Sequence, residues 1–297
     1  FYPAIVLLIS LGTALSAYPI HYMAQSSAPV LTLLSLIIPL SVMLSTTVYY
    51  IDSQWGLELS RKDSVDRSKK LSLMEKLGQF FEHGISREVL SISVCIFSFN
   101  LIVSLFESCF WTRVSQFSSS QNDILTFFSQ YTFLKGCVSL AAGLVNIYLI
   151  DRMGWFFVIK ITPIVCVAAV NSILFYYFPQ TLLSLPSTFT LFHLSLDTAP
   201  FITWFFAIGL VCSYASKFSF FDPAKEIFIA TLPSEERRIT KVFADGVSGR
   251  SGKIFGGVMQ SVMLSVTAAN SILDIAPIVF VLSSIASIVF IGAVNRL

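Results

Sequence analysis

Charged residues are scarce in this sequence. Asp, Glu, Lys and Arg together make up 12% of its 297 residues, whereas a soluble globular domain typically carries about 25%. The formal net charge is +2, and the 28 Phe and 10 Tyr residues lie in apolar runs rather than among the lysines and arginines. A groove for single-stranded nucleic acid would need aromatic side chains interleaved with basic ones. The composition therefore excludes an ordinary soluble domain and argues against a nucleic-acid partner.

Patterns that form disulfides or metal sites are missing as well. The five cysteines make no Cys-x-x-Cys pair and lie in or at the edge of apolar runs: Cys95, Cys109, Cys137, Cys166 and Cys212. We interpret them as small buried hydrophobic side chains. The three histidines, His21, His83 and His193, are isolated, and no two have the spacing of metal ligands. We therefore expect no metal site and no cofactor.

The pattern of a nucleotide-hydrolysing enzyme is not present either. Gly252-Lys253 resembles the end of a phosphate-binding loop, but that loop requires glycine at position 247 and serine or threonine at position 254. The chain has Val247 and Ile254 at those positions. No nucleophile is paired with a base in the sequence, so we predict that the protein is not an enzyme.

Long apolar runs are the main feature of the sequence. The mean hydropathy is +0.77, and a membrane-spanning helix needs roughly 20 apolar residues. Eight runs reach this length: 2–24, 28–51, 89–110, 124–150, 153–178, 198–220, 242–268 and 275–295. Backbone groups in lipid must be hydrogen-bonded within their own segment, and the runs lack the period-two alternation of barrel strands. The sequence therefore predicts an all-α membrane protein with eight transmembrane helices.

Lysine and arginine indicate the direction of these spans. Fourteen basic residues lie in the connections after spans two, four and six and at the end of the chain, whereas the opposite connections contain only Arg113. Cytoplasmic connections of membrane proteins carry an excess of basic residues. This asymmetry places the basic side in the cytoplasm and supports the alternation of eight spans.

The connection 52–88 is the clearest boundary in the chain. It holds seven acidic and seven basic residues, and its stretch Leu71–Leu77 can form either an amphipathic helix on the membrane surface or part of a solvated linker. Two spans precede it and six follow, as in a transporter built of two six-helix halves. We therefore assign 1–51 to the last two spans of the N-terminal half, 52–88 to a cytoplasmic linker and 89–297 to the C-terminal half. The chain enters an apolar run at Phe1 without a basic leader, so we expect a piece of a longer protein.

Ionisable side chains at membrane depth are the leading functional candidates, because an unpaired charge is costly to place in lipid. Glu107 closes the third predicted span, Lys135 lies in the middle of the fourth, and Lys160 lies in the first half of the fifth. Lys135 is too deep to reach the interface without strain. Glu107 could carry a proton, pair with a substrate cation, act as a gate, or simply anchor the helix at the outer interface.

The seventh predicted span begins with a charged, glycine-rich stretch. Residues 245–257 contain Asp245, Arg250, Lys253, five glycines and two serines, and such small residues allow neighbouring helices to approach closely. Arg250 and Lys253 are three residues apart and share a helix face, so together they can form an anion site with Asp245 as a partner for one of them. The alternative is a cluster that extends its charges to the cytoplasmic interface. Lys253 lies about 12 Å further along the helix than Asp245, which favours the anion site.

A short polar segment follows the sixth span. Pro223 suits the first turn of a helix, and Asp222 suits its N-cap. We predict a short cytoplasmic helix that carries Lys225 and Glu226. It would serve either in gating or as an ordinary surface helix.

Several motifs resemble those of one transporter family and occur in the same order. They are Leu71 to Glu75 before the third span, Asn100-Leu101 and Leu105-Phe106-Glu107 within it, Gly154-Trp155 with Thr162-Pro163-Ile164, Phe221 to Glu226, and Asp245, Arg250, Gly252, Lys253, Gly256 and Gly257. In these stretches the sequence is similar to the ATP/ADP translocases of plastids and obligate intracellular bacteria, which have twelve spans. The last two motifs are the specific ones.

The resemblance implies a major-facilitator-like helical bundle that moves nucleotides by alternating access and needs no cofactor. ATP, ADP or another nucleotide would be exchanged across the membrane. Proton-coupled symport of nucleotides or other organic anions, or a non-transporting scaffold, are the alternatives. The candidate substrate-binding residues are Lys253, Arg250, Lys135, Glu107 and Lys160. The candidate gating or structural residues are Asp222, Lys225, Glu226 and Asp245, together with Asp151 and Arg152, which resemble a short-loop signature of the major facilitators.

The resemblance also implies a location. We expect a multi-pass protein in the cytoplasmic membrane of a bacterium, such as an obligate intracellular one, or in a plastid envelope. Its partners would be the nucleotide and the lipid bilayer, with protons added in the symport alternative. We expect a monomer.

Overall fold

The computed structural model describes residues 10–16, 18, 87–118, 120–178, 188–191, 194–232, 237 and 240–297. The chain divides into two compact units, and the unit formed by Phe1–Ala24 and Ser86–Leu297 contains all of these residues. The other unit, Gln25–Ile85, lies outside the described residues. The predicted second span and the predicted amphipathic helix of the linker fall in that unit.

The described helices from residue 87 onward are numbered here in chain order. They are α1 Arg87–Phe117, α2 Gln121–Met153, α3 Trp155–Phe178, α4 Thr198–Ser216, α5 Asp222–Thr231, α6 Gly249–Thr267 and α7 Ala276–Val294. The π-helical segment Lys217–Phe221 joins α4 to α5, and a second one, Val242–Ser248, leads into α6. A 3₁₀ turn, Ile272–Ile275, precedes α7. Residues 10–16, within the first predicted span, are also helical.

Five helices in the described residues are long and apolar enough to cross a membrane. They are Arg87–Phe117, Asn122–Met153, Trp155–Leu174, Pro200–Thr231 and Ile272–Val294, which match predicted spans three to six and eight. The prediction of an all-α fold with several membrane-crossing helices is confirmed for these segments. The predicted seventh span is helical from Val242 to Thr267, but it is not among the five apolar helices, because its first half carries charges.

A short β-hairpin in the connection before α4 was not predicted. Strands β1 Thr188–Leu191 and β2 Leu194–Asp197 pair in antiparallel fashion, with Thr188 opposite Asp197. Four residues per strand are too few for period-two alternation to be distinguished from chance.

Helix α1 is longer than the sequence predicted. The third span was expected at 89–110 with Glu107 at its end, but α1 continues to Phe117 and leaves Glu107 ten residues inside it. The hydroxyls of Ser108 and Thr112 donate to the carbonyls four residues earlier, at 3.0 and 2.9 Å. These local bonds satisfy the polar side chains and let the helix continue beyond the apolar run.

Helix α1 forms the centre of the described bundle. It packs most extensively against α7 and α6 and also contacts α4. Three of its aromatic side chains, Phe99, Phe106 and Phe110, are buried. The Phe106 ring stacks on Phe206 with centroids 5.4 Å apart, and the Phe99 ring meets Phe290 edge-on at 6.5 Å. The core is therefore built around the helix that also carries Glu107.

Helices α1 and α6 approach each other closely at two glycines. A Cβ added to Gly252 would lie 2.5 Å from the carbonyl oxygen of Phe97, and one added to Gly256 would lie 2.8 Å from the Ser104 hydroxyl oxygen. One turn further on, the Gln260 amide donates to the carbonyl of Leu105 at 3.3 Å. The prediction that the glycine-rich stretch permits close helix packing is confirmed, and we call this contact the glycine seam.

Asp222 does not cap a separate helix, contrary to the prediction. Residues Pro200–Thr231 form one continuous helix, in which the first π-helical segment leads directly into α5. The backbone N–H of Asp222 donates to the carbonyl of Lys217, five residues earlier, so Asp222 lies within the helix. The wider π turn accommodates Pro223, which has no N–H and whose ring would collide with a carbonyl in a regular α-helix.

Neighbouring helices hold this π-helical segment in place. The Thr162 hydroxyl of α3 donates to the carbonyl of Ser216 at 3.0 Å. The Ser219 hydroxyl donates to the carbonyl of Ser139 on α2 at 2.9 Å. All four residues are half-buried or buried, so the irregular turn is stabilised from two sides by hydrogen bonds shielded from water.

The ends of α2 are defined by specific residues. At its start, Ser120 and Asp123 each accept a hydrogen bond from the other's backbone N–H, at 3.2 and 3.0 Å, which is a capping box. At its end, Gly154 adopts a φ of +78°, a conformation that glycine adopts without strain. A single residue, Gly154, therefore separates α2 from α3.

Candidate functional site

A cavity of about 260 Å³ lies where α1 faces the start of α6. Its lining residues are Val103, Ser104, Glu107, Ser108, Trp111 and Lys253. Five of the six lie on α1, at positions 103, 104, 107, 108 and 111. Residues three or four positions apart lie on the same face of a helix, so these five share one face. Helix α6 contributes the cation. The cavity thus combines an ammonium group, a carboxylate, two hydroxyls and an indole ring.

Lys253 lies deep along α1 rather than at the end of the bundle. The Ser104 hydroxyl, near the middle of α1, donates to the carbonyl of Lys253 at 3.4 Å, and the glycine seam fixes the backbone on either side of it. The Lys253 side chain is exposed and lines the cavity. The backbone is therefore packed while the ammonium group extends into open space, as a ligand-binding cation requires.

Glu107 and Lys135 are connected through Tyr214 of α4. The Tyr214 hydroxyl donates to the Glu107 carboxylate at 2.9 Å, and the Lys135 Nζ lies 3.9 Å from the centre of the Tyr214 ring. Lys135 is also within electrostatic range of both Glu107 and Lys253. A cation over an aromatic face is attracted by the electron-rich ring. Tyr214 therefore contacts Glu107 through its hydroxyl and Lys135 through its ring.

The structure brings three of the predicted charges near one another, together with neutral partners that the sequence did not indicate. Glu107 on α1 and Lys253 on α6 line the cavity, and Lys135 on α2 lies against Tyr214, the hydrogen-bond partner of Glu107. Tyr214 and Trp111 were not singled out, because aromatic residues are frequent in every span of this chain. Tyr214 is 107 positions from Glu107, and no local pattern in a sequence indicates a contact at that distance.

Like Lys135, the predicted cations Lys160 and Arg250 are not among the residues that line the cavity. The Lys160 Nζ lies 4.1 Å from the centre of the Phe156 ring on its own helix. Arg250 is exposed, one turn before Lys253 on α6, and shares the predicted helix face without sharing the cavity. The side chain of Asp245 lies outside the described residues.

A second group of charges surrounds the π-helical segment and α5. Asp222 accepts from Lys217 at 2.8 Å and lies 3.9 Å from Lys225, while Glu226 lies 2.9 Å from Lys241 and 3.7 Å from Lys225. The Lys225 side chain is only 7% exposed and that of Asp222 13%. We call these five residues the charge network. It joins α5 to the segment that leads into α6.

The predicted signature residues Asp151 and Arg152 lie in the last turn of α2. Asp151 and Arg152 are both exposed, and the Arg152 guanidinium carbon lies 5.2 Å from the centre of the Tyr148 ring. In the described part of the chain, no group of three His, Cys, Asp or Glu side chains is arranged to hold a metal ion.

Comparison with protein families identifies the chain. The family model described as TLC ATP/ADP transporter matches residues 9–297. The chain belongs to the TLC ATP/ADP transporter family. The resemblance noted from the motifs is thereby confirmed.

Relatives of this chain include proteins of Chlamydia and Rickettsia. It is 31% identical over 225 residues to ADP,ATP carrier protein 2 of Chlamydia pneumoniae, which covers 73% of this chain and 41% of the relative. It is 28% identical over 202 residues to ADP,ATP carrier protein 2 of Chlamydia trachomatis, covering 67% and 36%. It is 26% identical over 204 residues to ADP,ATP carrier protein 3 of Rickettsia bellii, covering 69% and 39%. The TLC transporter chain thus spans less than half the length of these relatives. No solved structure matches it significantly.

Proposed function

We propose that the protein is a secondary transporter that exchanges nucleotides, ATP against ADP or a related pair, across a membrane. The observation that carries this proposal is a cavity beside the middle of a membrane-crossing helix that Lys253 and Glu107 line, with Lys135 within electrostatic range of both. Charges at that depth are retained where they serve a substrate pathway. The relatives named as ADP,ATP carriers support the choice of a nucleotide.

The two lysines would bind the phosphate groups of the nucleotide. Lys253 provides an exposed ammonium in the cavity, and Lys135 lies close enough to add to the positive potential there. In a site with low dielectric constant, two positive charges attract a multiply charged phosphate more strongly than they would in water. Arg250, one turn earlier on α6, would guide the anion toward Lys253.

Glu107 would regulate the occupancy of the site. Its carboxylate accepts a hydrogen bond from Tyr214, and its negative charge would offset the repulsion between the two lysines. When phosphate enters, the carboxylate competes with it for the same cations. Glu107 would therefore act as a gate in exchange, or as the proton-carrying group in the alternative of proton-coupled symport.

The complete protein would contain two six-helix halves of the major facilitator type. In this arrangement the chain has eight spans, with the last two of the first half at 1–51 and the second half at 89–297. Alternating access would follow from rocking of the halves around a central site. The first half would complete the substrate site, and the protein would work as a monomer in a bacterial cytoplasmic membrane or a plastid envelope.

Uptake by the full-length protein in liposomes tests this function. Liposomes loaded with ADP are expected to take up radiolabelled ATP faster than empty ones, because exchange requires a counter-substrate. Uptake that follows a pH gradient instead of internal ADP would indicate symport. If correctly inserted protein takes up no nucleotide under either condition, the proposal is wrong, and a non-transporting scaffold becomes the better interpretation.

Replacing Tyr214 by phenylalanine is expected to lower the maximal rate of nucleotide uptake about tenfold. The variant removes the hydroxyl that donates to Glu107 at 2.9 Å but keeps the ring beneath Lys135, and a hydrogen bond to a charged group contributes about 1.5–3 kcal/mol. Rates and half-saturation concentrations should be measured in liposomes. Tyr214→Leu removes the ring as well and should lower the rate further. Equal rates for the wild type and Tyr214→Phe would show that the hydroxyl does not position Glu107.

A further inference from the structure

We propose that Trp111 recognises the base of the nucleotide by stacking, while Lys253 holds the phosphates. This inference rests on the proposed function and adds to it the residue that recognises the apolar end of the substrate. Trp111 lines the same cavity as Lys253 and Glu107. It is the one aromatic residue among the six that line it.

The position of Trp111 along α1 fits the length of a nucleotide. Ser104 touches the backbone of Lys253, and Trp111 lies seven residues further along α1. Seven residues are close to two full turns, so Ser104 and Trp111 lie on the same face about 10.5 Å apart. The backbone positions beside the cation and the indole ring are therefore about two turns apart along α1, a separation comparable to that between the phosphates and the base of an extended nucleotide.

The polar groups between these two ends match the middle of a nucleotide. Glu107 and Ser108 line the cavity between Ser104 and Trp111. A carboxylate and a hydroxyl are suitable partners for the hydroxyl groups of a ribose. Along α1 the cavity therefore presents a cation, then polar groups, then an aromatic ring. A nucleotide presents its phosphates, sugar and base in the same order.

The indole ring is held firmly, and its neighbours do not stack on it. Its centroid lies 4.9 Å from that of Phe110, 5.6 Å from that of Phe128 and 5.9 Å from that of Tyr131, with interplanar angles of 60°, 40° and 76°. These three rings therefore meet the indole at an angle rather than flat. Trp111 is half-buried, so the ring is positioned in advance and keeps surface available for a base.

The alternative role for a tryptophan near the outer end of a span is to anchor the helix at the lipid interface. An anchor would affect insertion and stability, and it would affect all ligands of the cavity equally. A base-stacking residue affects only ligands that carry a base. Stacking is tolerant of base identity because every base has an aromatic face, so Trp111 would favour nucleotides over simple phosphates without selecting adenine strictly.

Binding of ADP and of tripolyphosphate to the full-length protein in detergent tests this inference. Tripolyphosphate carries the negative charge but no base. Replacing Trp111 by alanine is expected to weaken ADP binding about 10–100-fold, as for the loss of a stacked base, and to leave tripolyphosphate binding nearly unchanged. Trp111→Phe retains a ring and should keep most of the ADP affinity. Lys253→Ala should weaken the binding of both ligands.

The outcomes separate this inference from the proposed function. If wild-type protein binds ADP and Lys253→Ala weakens it, but Trp111→Ala does not, the role of Trp111 is wrong and the proposed function stands. If Trp111→Ala weakens ADP and tripolyphosphate equally, the tryptophan is structural and the inference is also wrong. Wild-type protein that binds neither ligand would overturn the proposed function and this inference together.

Discussion

Replacing Lys253 by alanine is expected to lower the efficiency of nucleotide uptake by two to three orders of magnitude. Lys253 provides the exposed ammonium group of the cavity, at the depth of the middle of α1. In the proposed site this ammonium would pair with a phosphate group of the bound nucleotide, and removing one partner of such a charge pair costs about 2–5 kcal/mol. Each 1.4 kcal/mol corresponds to about a tenfold change. The measurement is the initial rate of uptake at several ATP concentrations into liposomes that contain ADP.

Three further variants show whether the charge itself is responsible. Lys253→Arg keeps a positive charge and should retain part of the activity, whereas Lys253→Glu reverses it and should remove uptake entirely. Arg296→Ala is the matched control, because Arg296 is an exposed cation at the end of the chain, outside the cavity. The amount of inserted protein should be equal for all variants, since the Lys253 side chain is not packed in the core. Uptake by Lys253→Ala at the wild-type rate would rule out a phosphate-binding role.

Replacing Asp222 by alanine is expected to destabilise the protein by about 3 kcal/mol. Asp222 lies between Lys217 at 2.8 Å and Lys225 at 3.9 Å, and both lysines are less than a quarter exposed. Removing the carboxylate leaves two partly buried positive charges next to each other, and breaking a buried pair in this way typically costs about 3–5 kcal/mol. Thermal unfolding of the full-length protein in detergent measures the loss.

Glu226→Gln provides the matched control for Asp222. Glu226 pairs with Lys241 at 2.9 Å, but the Lys241 side chain is 53% exposed, and exposed ion pairs contribute about 1 kcal/mol or less. Glu226 also lies 3.7 Å from the buried Lys225, which keeps Asp222 as a partner in this variant. The unfolding temperature of Glu226→Gln should therefore fall less than that of Asp222→Ala. A double variant, Asp222→Leu with Lys217→Leu, should recover part of the loss, because apolar residues often replace a buried ion pair without destabilisation. If Asp222→Ala and Glu226→Gln have equal effects, the charge network does not stabilise the fold through burial.

The sequence allowed the main charges of the site to be predicted, because charges inside apolar runs are rare and conspicuous. Lys253 stood out for its depth, and Glu107 and Lys135 stood out as isolated ions in spans. Each was found without knowledge of its neighbours. What joins them, the hydroxyl and the ring of Tyr214, could not be predicted, because a tyrosine in a span has the same local pattern whether or not it contacts a charge.

The helices could likewise be predicted only in part, because their locations follow from the sequence but their ends do not. The apolar runs located the described spans, since lipid requires helical backbone. The extension of α1 past Glu107 depends on serine and threonine hydroxyls that bond within their own helix, and these residues are found as often in loops. The continuation of α4 into α5 through Asp222 and Pro223 depends on a π turn that α2 and α3 hold in place. Such tertiary contacts cannot be read from the local pattern, which indicated a new helix instead.

The glycine seam has a consequence for which parts of the molecule move. Because the backbones of α1 and α6 touch at Gly252 and Gly256, neither helix can slide along the other without first separating from it. Lys253 and Glu107 therefore lie on two helices that we expect to move as one body. In the proposed alternating-access cycle, the spacing of their backbones would be the same on whichever side of the membrane the cavity opens. A substrate leaving the site would then face the same half of its binding surface that it met on entry, and its release would depend on the surface that withdraws from this half.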